Sequence, residues 1–211
     1  TLSLHDALPI GHGESDGPFA NLTTTIGVAQ TISVLQHLVA RGYHRLALVG
    51  SSFGGLLSIL AAAEWTEAHH AQAASGPPLA CLALKCPVVD FGEELRLELG
   101  QEGLQEWQQT NSIPDLHGGP TRIPLDYEFY EDCLRQIAYD PAHTITAPTL
   151  IVQGNQDEYV PLHQSQRLLH ALSGPKHLEI LDGADHSFTK PADFQQMLTL
   201  LTDWISRHTA A

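Results

Sequence analysis

A serine flanked by glycines two positions away on either side carries the first chemical signal in this chain. Gly50-Ser51-Ser52-Phe53-Gly54 follows the apolar run Leu46-Ala47-Leu48-Val49 and leads into an alanine-rich stretch from Leu56 to Glu64. Strand, Gly-x-Ser-x-Gly and helix in that order read as a nucleophile elbow, a sharp turn that presents a serine hydroxyl at the end of a sheet. Such a turn is strained and brings backbones together, so small residues are expected on either side of the serine. Ser51 and Ser52 both compete for the role, but only Ser52 has glycine at both flanking positions. The bland alternative is an ordinary turn serine; the strand before and helix after favour the nucleophile. A serine hydroxyl is weak until a base takes its proton, so partners must be sought elsewhere.

Two later segments offer them. Pro148-Thr149-Leu150-Ile151-Val152 is apolar and ends in Gly154-Asn155-Gln156-Asp157, with Val160-Pro161 beyond. Leu178-Glu179-Ile180-Leu181 ends in Asp182-Gly183-Ala184-Asp185-His186. Serine, aspartate and histidine each stand at the carboxyl end of a predicted strand. Asp157 has a competing reading as an Asx-turn or helix-cap residue. Asp182 and Asp185 are local rivals for pairing with His186, though turn roles suit them better. His12 in Gly11-His12-Gly13 reads as a structural loop residue.

In these motifs and their order, Ser…Asp…His, the chain resembles the α/β-hydrolase family. The resemblance runs from Gly11 to the C-terminus. Gly11-His12-Gly13-Glu14-Ser15-Asp16-Gly17 and Gly183-Ala184-Asp185-His186-Ser187-Phe188 are most similar to small-capped esterases, including cinnamoyl and feruloyl esterases. The resemblance implies Ser52 as nucleophile, His186 as general base and Asp157 as the acid that orients it. It implies the backbone N–H of Phe53 as one oxyanion donor, the second coming from a loop after the family's third strand. The implied reaction is cleavage of a carboxylic ester through an acyl-enzyme, on short-chain or aromatic acyl groups. A peptidase or lactonase on the same triad is the enzymatic alternative, since fold does not fix substrate. A non-catalytic module of the same fold is the other, disfavoured because all three triad residues are present.

The first ten residues do not fit. In the family, the Gly11–Gly17 stretch follows a buried strand with three more before it. Here it follows Thr1-Leu2-Ser3-Leu4-His5-Asp6-Ala7-Leu8-Pro9-Ile10, which lacks strand-like alternation. This decapeptide matches the in-frame translation of a short-read sequencing adapter, and residues 1–10 are read as an artefact to be set apart from the fold. The natural protein is then expected to continue upstream, with one strand edge left unpaired and a tendency to aggregate. The loop carrying the second oxyanion donor is expected to be missing as well, a loss of about 10²–10³ in rate.

Composition bounds the rest. A chain of 211 residues with 43% hydrophobic and 16% charged residues is that of an ordinary globular domain. No apolar run approaches the roughly 20 residues of a membrane span. A net charge of −14 argues against nucleic-acid binding, which needs basic patches. Residues 91–140 carry eleven acidic against three basic residues, a net of −8, and would repel polyanionic substrates. Cys81, Cys86 and Cys133 have no metal-ligand spacing and read as buried free thiols, compatible with a reducing compartment. The compartment itself stays open, with the cytoplasm as default. The 13 histidines form no ligand cluster on a predicted helix, and His69-His70 reads as a solvated turn. No metal or cofactor is implied, and a small-molecule ester is the expected partner.

The periodicities place a helix over Thr24–Ala40, a buried strand over Leu79–Val89, a helix over His163–Leu172 and a closing helix over Ala192–Ser206. Ser75-Gly76-Pro77-Pro78 is a break. The expected fold class is α/β, a parallel sheet with flanking helices equivalent to the family's strands five to eight. Its core is read as residues 11–90 and 141–211. The acidic, glutamine-rich stretch 91–140 has two short helical patterns and breaks at Ile113-Pro114 and Gly118-Gly119-Pro120. It is read as an inserted cap, with a long surface excursion as the alternative. Trp107, Tyr127, Phe129 and Tyr130 would be its core or its contacts with substrate.

Overall fold

The computed structural model describes residues 10–71, 77–114 and 121–210. The decapeptide up to Pro9, the start of the 75–78 break and the glycine pair at 118–119 lie outside the described residues.

Four strands form the main sheet: β1 (Leu46–Ser51), β2 (Leu79–Lys85), β5 (Thr149–Gly154) and β6 (Lys176–Leu181). They are ordered β1-β2-β5-β6 and all run parallel. Parallel neighbours need crossovers, and helices supply them: α2 (Phe53–His70) links β1 to β2, and α5 (Leu162–Ala171) links β5 to β6. Side chains alternate across the sheet. Leu82, Leu84 and Ile151 face one core with Leu56, Ile59 and Leu168, whereas Ala83, Leu150 and Val152 face another with Met197 and Leu201 of α6 (Pro191–Thr209). The sheet is thus covered on both faces, as its near-continuous apolar strands require. Each fully buried Leu or Ile contributes about 1.5–3 kcal/mol. At the β1 edge, Val49 is 56% exposed.

Helix α1 (Thr24–Ala40) matches the sequence expectation and is capped by Thr23, whose hydroxyl accepts from the Ile26 N–H at 3.1 Å. Helix α2 is longer than expected at both ends. It starts directly after Ser52 and continues through His69 and His70, which are its last turn and not a solvated loop. His69 Nδ1 lies 2.6 Å from the Trp65 carbonyl and its ring packs on the Trp65 indole. Strand β2 is shorter than expected, because Cys86 turns to a positive φ of 42° and leaves the sheet. Cys86 therefore lies beyond the strand that holds Cys81.

Around Trp107 the described residues between Phe91 and Cys133 pack as a layer together with Leu22, whereas Ala138 and Tyr139 join the main core. Helix α3 (Phe91–Thr110) is kinked at Gly100, whose φ of 61° breaks the helical path. Ile113–Pro114 (β3) is not simply a break: it pairs antiparallel with Arg122–Ile123 (β4). Helix α4 (Glu128–Cys133) follows. Trp107, Leu95, Phe129, Tyr130 and Cys133 form a separate apolar cluster, with the Trp107 indole N–H donating to the Leu125 carbonyl at 2.6 Å. Two polar clamps hold this layer. Asp132 accepts from the Thr25 N–H at 2.7 Å, tying α4 to α1. The Gln164 side chain on α5 accepts from the N–H groups of Val89 and Asp90 and donates to the Asp90 carbonyl.

Candidate active site

The register aligns the carboxyl ends of the strands: Ser51 opposes Lys85, Lys85 opposes Val152, and Gly154 opposes Leu181. Loops leaving that edge are where parallel sheets place ligands. Ser52, Cys86, Asp157 and His186 all leave it.

Ser52 sits at φ 51°, ψ −121°, the strained geometry expected of an elbow. Its backbone is held on three sides: its N–H donates to Lys85, and its carbonyl accepts from Gly55 and Val88. Gly50 behaves as expected, since a Cβ there would lie 2.4 Å from the Gly54 carbonyl oxygen. Gly54 does not, because a Cβ at that position meets open space. The close approach after the serine falls at Gly55, where a Cβ would lie 2.6 Å from the Pro87 side chain. Phe53 opens α2, so its N–H is one of the donors a helix start leaves unused, at the positive end of the helix dipole.

Asp157 and His186 meet. His186 Nδ1 lies 2.9 Å from Oδ1 and 3.0 Å from Oδ2 of Asp157, whose side chain is 1% exposed. Burial pushes the Asp157 carboxyl up, but hydrogen bonds from His186 and the Val160 N–H, the His186 charge and the Cys86 thiol outweigh it. The net effect holds the carboxyl below its ordinary value, so it stays ionised beside the imidazole. The rivals take turn roles: Asp182 accepts from Asn155 at 2.7 Å, and Asp185 accepts from the Thr189 N–H at 2.9 Å. His12 bonds the Ile10 carbonyl and packs edge-on against Phe19.

Sequence reasoning missed four supports of this pair. Gln153, fully buried on β5, donates to Asp157 Oδ2 at 3.2 Å and to the Val160 carbonyl at 2.7 Å. Glu158 accepts from the His186 N–H at 3.1 Å, and the Tyr159 ring packs edge-on against the imidazole. The Cys86 thiol contacts the His186 carbonyl at 3.7 Å and also bonds the Asp157 carboxylate. Cys86, Asp157 and His186 thereby bring three potential metal-ligand atoms within 4.8 Å. Burial and the Asp157 charge push the Cys86 thiol far above its ordinary value, which keeps it protonated and a donor, not a thiolate ligand. The Glu158, Tyr159 and Cys86 contacts do not follow from spacing, since each joins residues on different loops, whereas the Gln153 bonds stay within one segment, four and seven residues apart.

Beside Phe53 lies a cavity of about 200 Å3, lined among others by His12, Leu22, Phe91, Leu95, Ile123 and Phe129. The rings of Phe53, Phe91 and Phe129 pack on one another at 5.4 to 5.5 Å between centroids.

Residues 6–195 match the model of the alpha/beta hydrolase family. The chain belongs to that family. It is 26% identical over 205 residues to a rat protein, Palmitoyl-protein thioesterase ABHD10, mitochondrial (Rattus norvegicus). That match covers 93% of the chain and 63% of the relative, so the chain spans less than two thirds of its length. Among solved structures, Est1E from Butyrivibrio proteoclasticus with bound ferulic acid has a TM-score of 0.73 at 22% identity, over 96% of this chain and 76% of that one. The esterase domain of a Rhodothermus marinus protein has a TM-score of 0.64 at 24% identity, over 92% and 73%. These likenesses establish an alpha/beta hydrolase fold with a parallel sheet flanked by helices, within a family of hydrolases. Among the described residues no helix is long and apolar enough to cross a membrane.

Proposed function

We propose that the protein is a serine hydrolase that cleaves carboxylic esters through an acyl-enzyme. The observation that carries this reading is the buried Asp157–His186 pair on the sheet edge from which the strained Ser52 also leaves. In this scheme Ser52 Oγ attacks the ester carbonyl while His186 Nε2 takes the hydroxyl proton. The oxyanion that forms is met by the Phe53 N–H at the start of α2. His186 returns the proton to the leaving alcohol, and water, activated by the same imidazole, then releases the acid. Asp157 keeps the imidazole in the tautomer that frees Nε2.

Residues 91–140 serve as a cap over this site, their aromatic wall forming the acyl pocket with Phe53. A cavity of about 200 Å3 suits a short or aromatic acyl group. It lies below the roughly 300–1,000 Å3 of drug-sized pockets. A thioester is the second reading, favoured by the likeness to the rat thioesterase along 93% of the chain. The same triad attacks either carbonyl, and the pocket's size argues against a palmitoyl chain in both cases.

The test is Ser52→Ala, assayed with nitrophenyl esters and the matching thioesters from acetyl to palmitoyl. Loss of turnover and of fluorophosphonate labelling is expected, with activity in the parent falling beyond medium chain lengths. Retained turnover in Ser52→Ala overturns the nucleophile.

A further inference from the structure

Gln153, next to last in β5, is fully buried and makes both of its bonds with one end of its amide. Its Nε2 donates to Asp157 Oδ2 at 3.2 Å and to the Val160 carbonyl at 2.7 Å. Both partners are acceptors, which fixes the way the amide points: turned over, its oxygen would face two other oxygens. The consequence falls on Oε1, which is buried with no hydrogen-bond partner among the described residues. A buried acceptor left unpaired is rare and calls for a reason. Gln164, equally buried, makes the contrast. Its oxygen accepts from the Val89 and Asp90 N–H groups, and its nitrogen donates to the Asp90 carbonyl and to Glu93. Gln164 is satisfied at both ends, as a structural clamp should be. Gln153 is satisfied only at the end that faces Asp157. There the Val160 and Tyr159 N–H groups both go to Oδ1, and His186 Nδ1 spans the two oxygens. Gln153 brings a side-chain N–H to Oδ2.

We propose that Gln153 is a positioning residue of the hydrolase, holding Asp157 Oδ2 against His186 and setting how strongly the imidazole keeps its proton. The inference rests on the serine-hydrolase reading and adds to it a residue that acts through Asp157 without touching substrate. A donated N–H takes up part of the negative charge of a carboxylate. Without it, more of that charge faces the imidazole, the imidazolium is favoured, and His186 gives up its proton only at higher pH. The carboxylate also loses a contact that stops it turning, so the ring it holds is less firmly aimed. Other groups bear on the same titration. The Cys86 thiol contacts the His186 carbonyl, Glu158 accepts from the His186 N–H, and Asp185 is bonded to Thr189. Lys85 lies over the Phe188 ring. On α3, burial, with the charges of Glu98 and Asp157 acting in the same direction, pushes the Glu94 carboxyl up to about 8. A substitution at Gln153 leaves all of these in place, so a shift between parent and variant reports Gln153 itself.

The experiment sets the parent beside Gln153→Met, which keeps the length and loses the donor, and Gln164→Met, which removes the structural clamp. kcat/KM for a short nitrophenyl ester is measured across pH, and its acid limb gives the pH at which the base of the free enzyme loses its proton. Gln153→Met is expected to move that limb up by about half to one pH unit, the equivalent of one hydrogen bond. Its kcat should fall about ten- to a hundredfold with little change in KM, as misaimed groups do. Gln164→Met is expected to melt at a lower temperature and to leave the limb where it is. A limb in Gln153→Met that coincides with the parent's overturns the proposal. So does an equal movement in Gln164→Met, which would make the effect a general loosening. A second measurement needs neither a folded variant nor turnover. In the parent, NMR follows the His186 ring and the Gln153 side-chain amide over the same pH range. The Gln153 Nε2 protons are expected to shift with the midpoint of His186, because both groups bond one carboxylate. Amide resonances that stay constant through that midpoint overturn the proposal. This readout is independent of ester cleavage, so it still decides Gln153 if Ser52→Ala shows the hydrolase reading to be wrong.

Discussion

His186 presents Nδ1 to both carboxylate oxygens of Asp157, at 2.9 and 3.0 Å, in a pocket where the aspartate side chain is almost fully buried. Three further donors, from Gln153, the Val160 N–H and the Tyr159 N–H, converge on the same carboxylate. The acid is thus held in place by the protein's own donors, and in the proposed mechanism it holds and polarises the imidazole. Asp157→Asn is expected to leave the fold intact and lower kcat by about 10⁴-fold, because an amide stabilises the wrong tautomer. Steady-state kinetics on a short nitrophenyl ester, beside circular dichroism, checks this. A change of tenfold or less would remove Asp157 from the mechanism.

The same carboxylate gives a stability prediction of defined sign. Its folded value lies below the ordinary one, so ionised Asp157 stabilises the fold above the unfolded value near 3.8, and this is lost as pH falls through the folded value. Glu94 acts in the opposite direction. Its folded value near 8 lies above the ordinary 4.5, so the proton it holds stabilises the fold fully below 4.5, and that contribution is lost as pH rises towards 8. The slope attributable to one such group is about 1.4 kcal/mol per pH unit. Urea unfolding of Glu94→Gln between those limits should show a flatter profile than the parent. Parallel profiles would mean that Glu94 is ionised in the folded state.

Cys86 bridges the two partners, touching the His186 carbonyl and the Asp157 carboxylate. Cys86→Ala removes a weak donor and is expected to lower kcat several-fold with little change in KM, a positioning effect. Cys86→Ser, which restores a donor, should recover most of it. All three thiols are buried, with Cys81 pushed up to about 11 and Cys133 to about 12 by desolvation. Alkylation by iodoacetamide near neutral pH should therefore be negligible in the native protein and complete in denaturant. Fast labelling of Cys86 in the native state would contradict this packing.

The two glycines after the serine make a sharp contrast. Gly55→Ala drives a Cβ to within 2.6 Å of Pro87 and should cost about 1–3 kcal/mol as overpacking. Gly54→Ala meets open space in the first turn of α2 and should be neutral or stabilising by up to about 1 kcal/mol, through helix propensity. Thermal melts of the two variants decide between them, and equal losses would refute the distinction.

What the sequence determined by itself was local. Apolar runs bounded by turn residues marked the strands, 3.6-residue periodicity marked α1, α5 and α6, and the placement of serine, aspartate and histidine after three strands marked the sheet edge. These follow from propensities and patterns that act over a few neighbouring residues. Helix ends were less legible, as α2 shows, because His69 and His70 join it through a carbonyl bond and a Trp65 contact that hydropathy does not encode. The supporting contacts across loops were not legible. Cys86 and Glu158 reach His186 only because parallel strands bring their ends together in register. The close approach at Gly55 in place of Gly54 depends on where Pro87 passes α2. Each is a contact between segments distant in the chain, created by packing, and a side chain's partner there is decided by tertiary geometry rather than by its own neighbours in sequence.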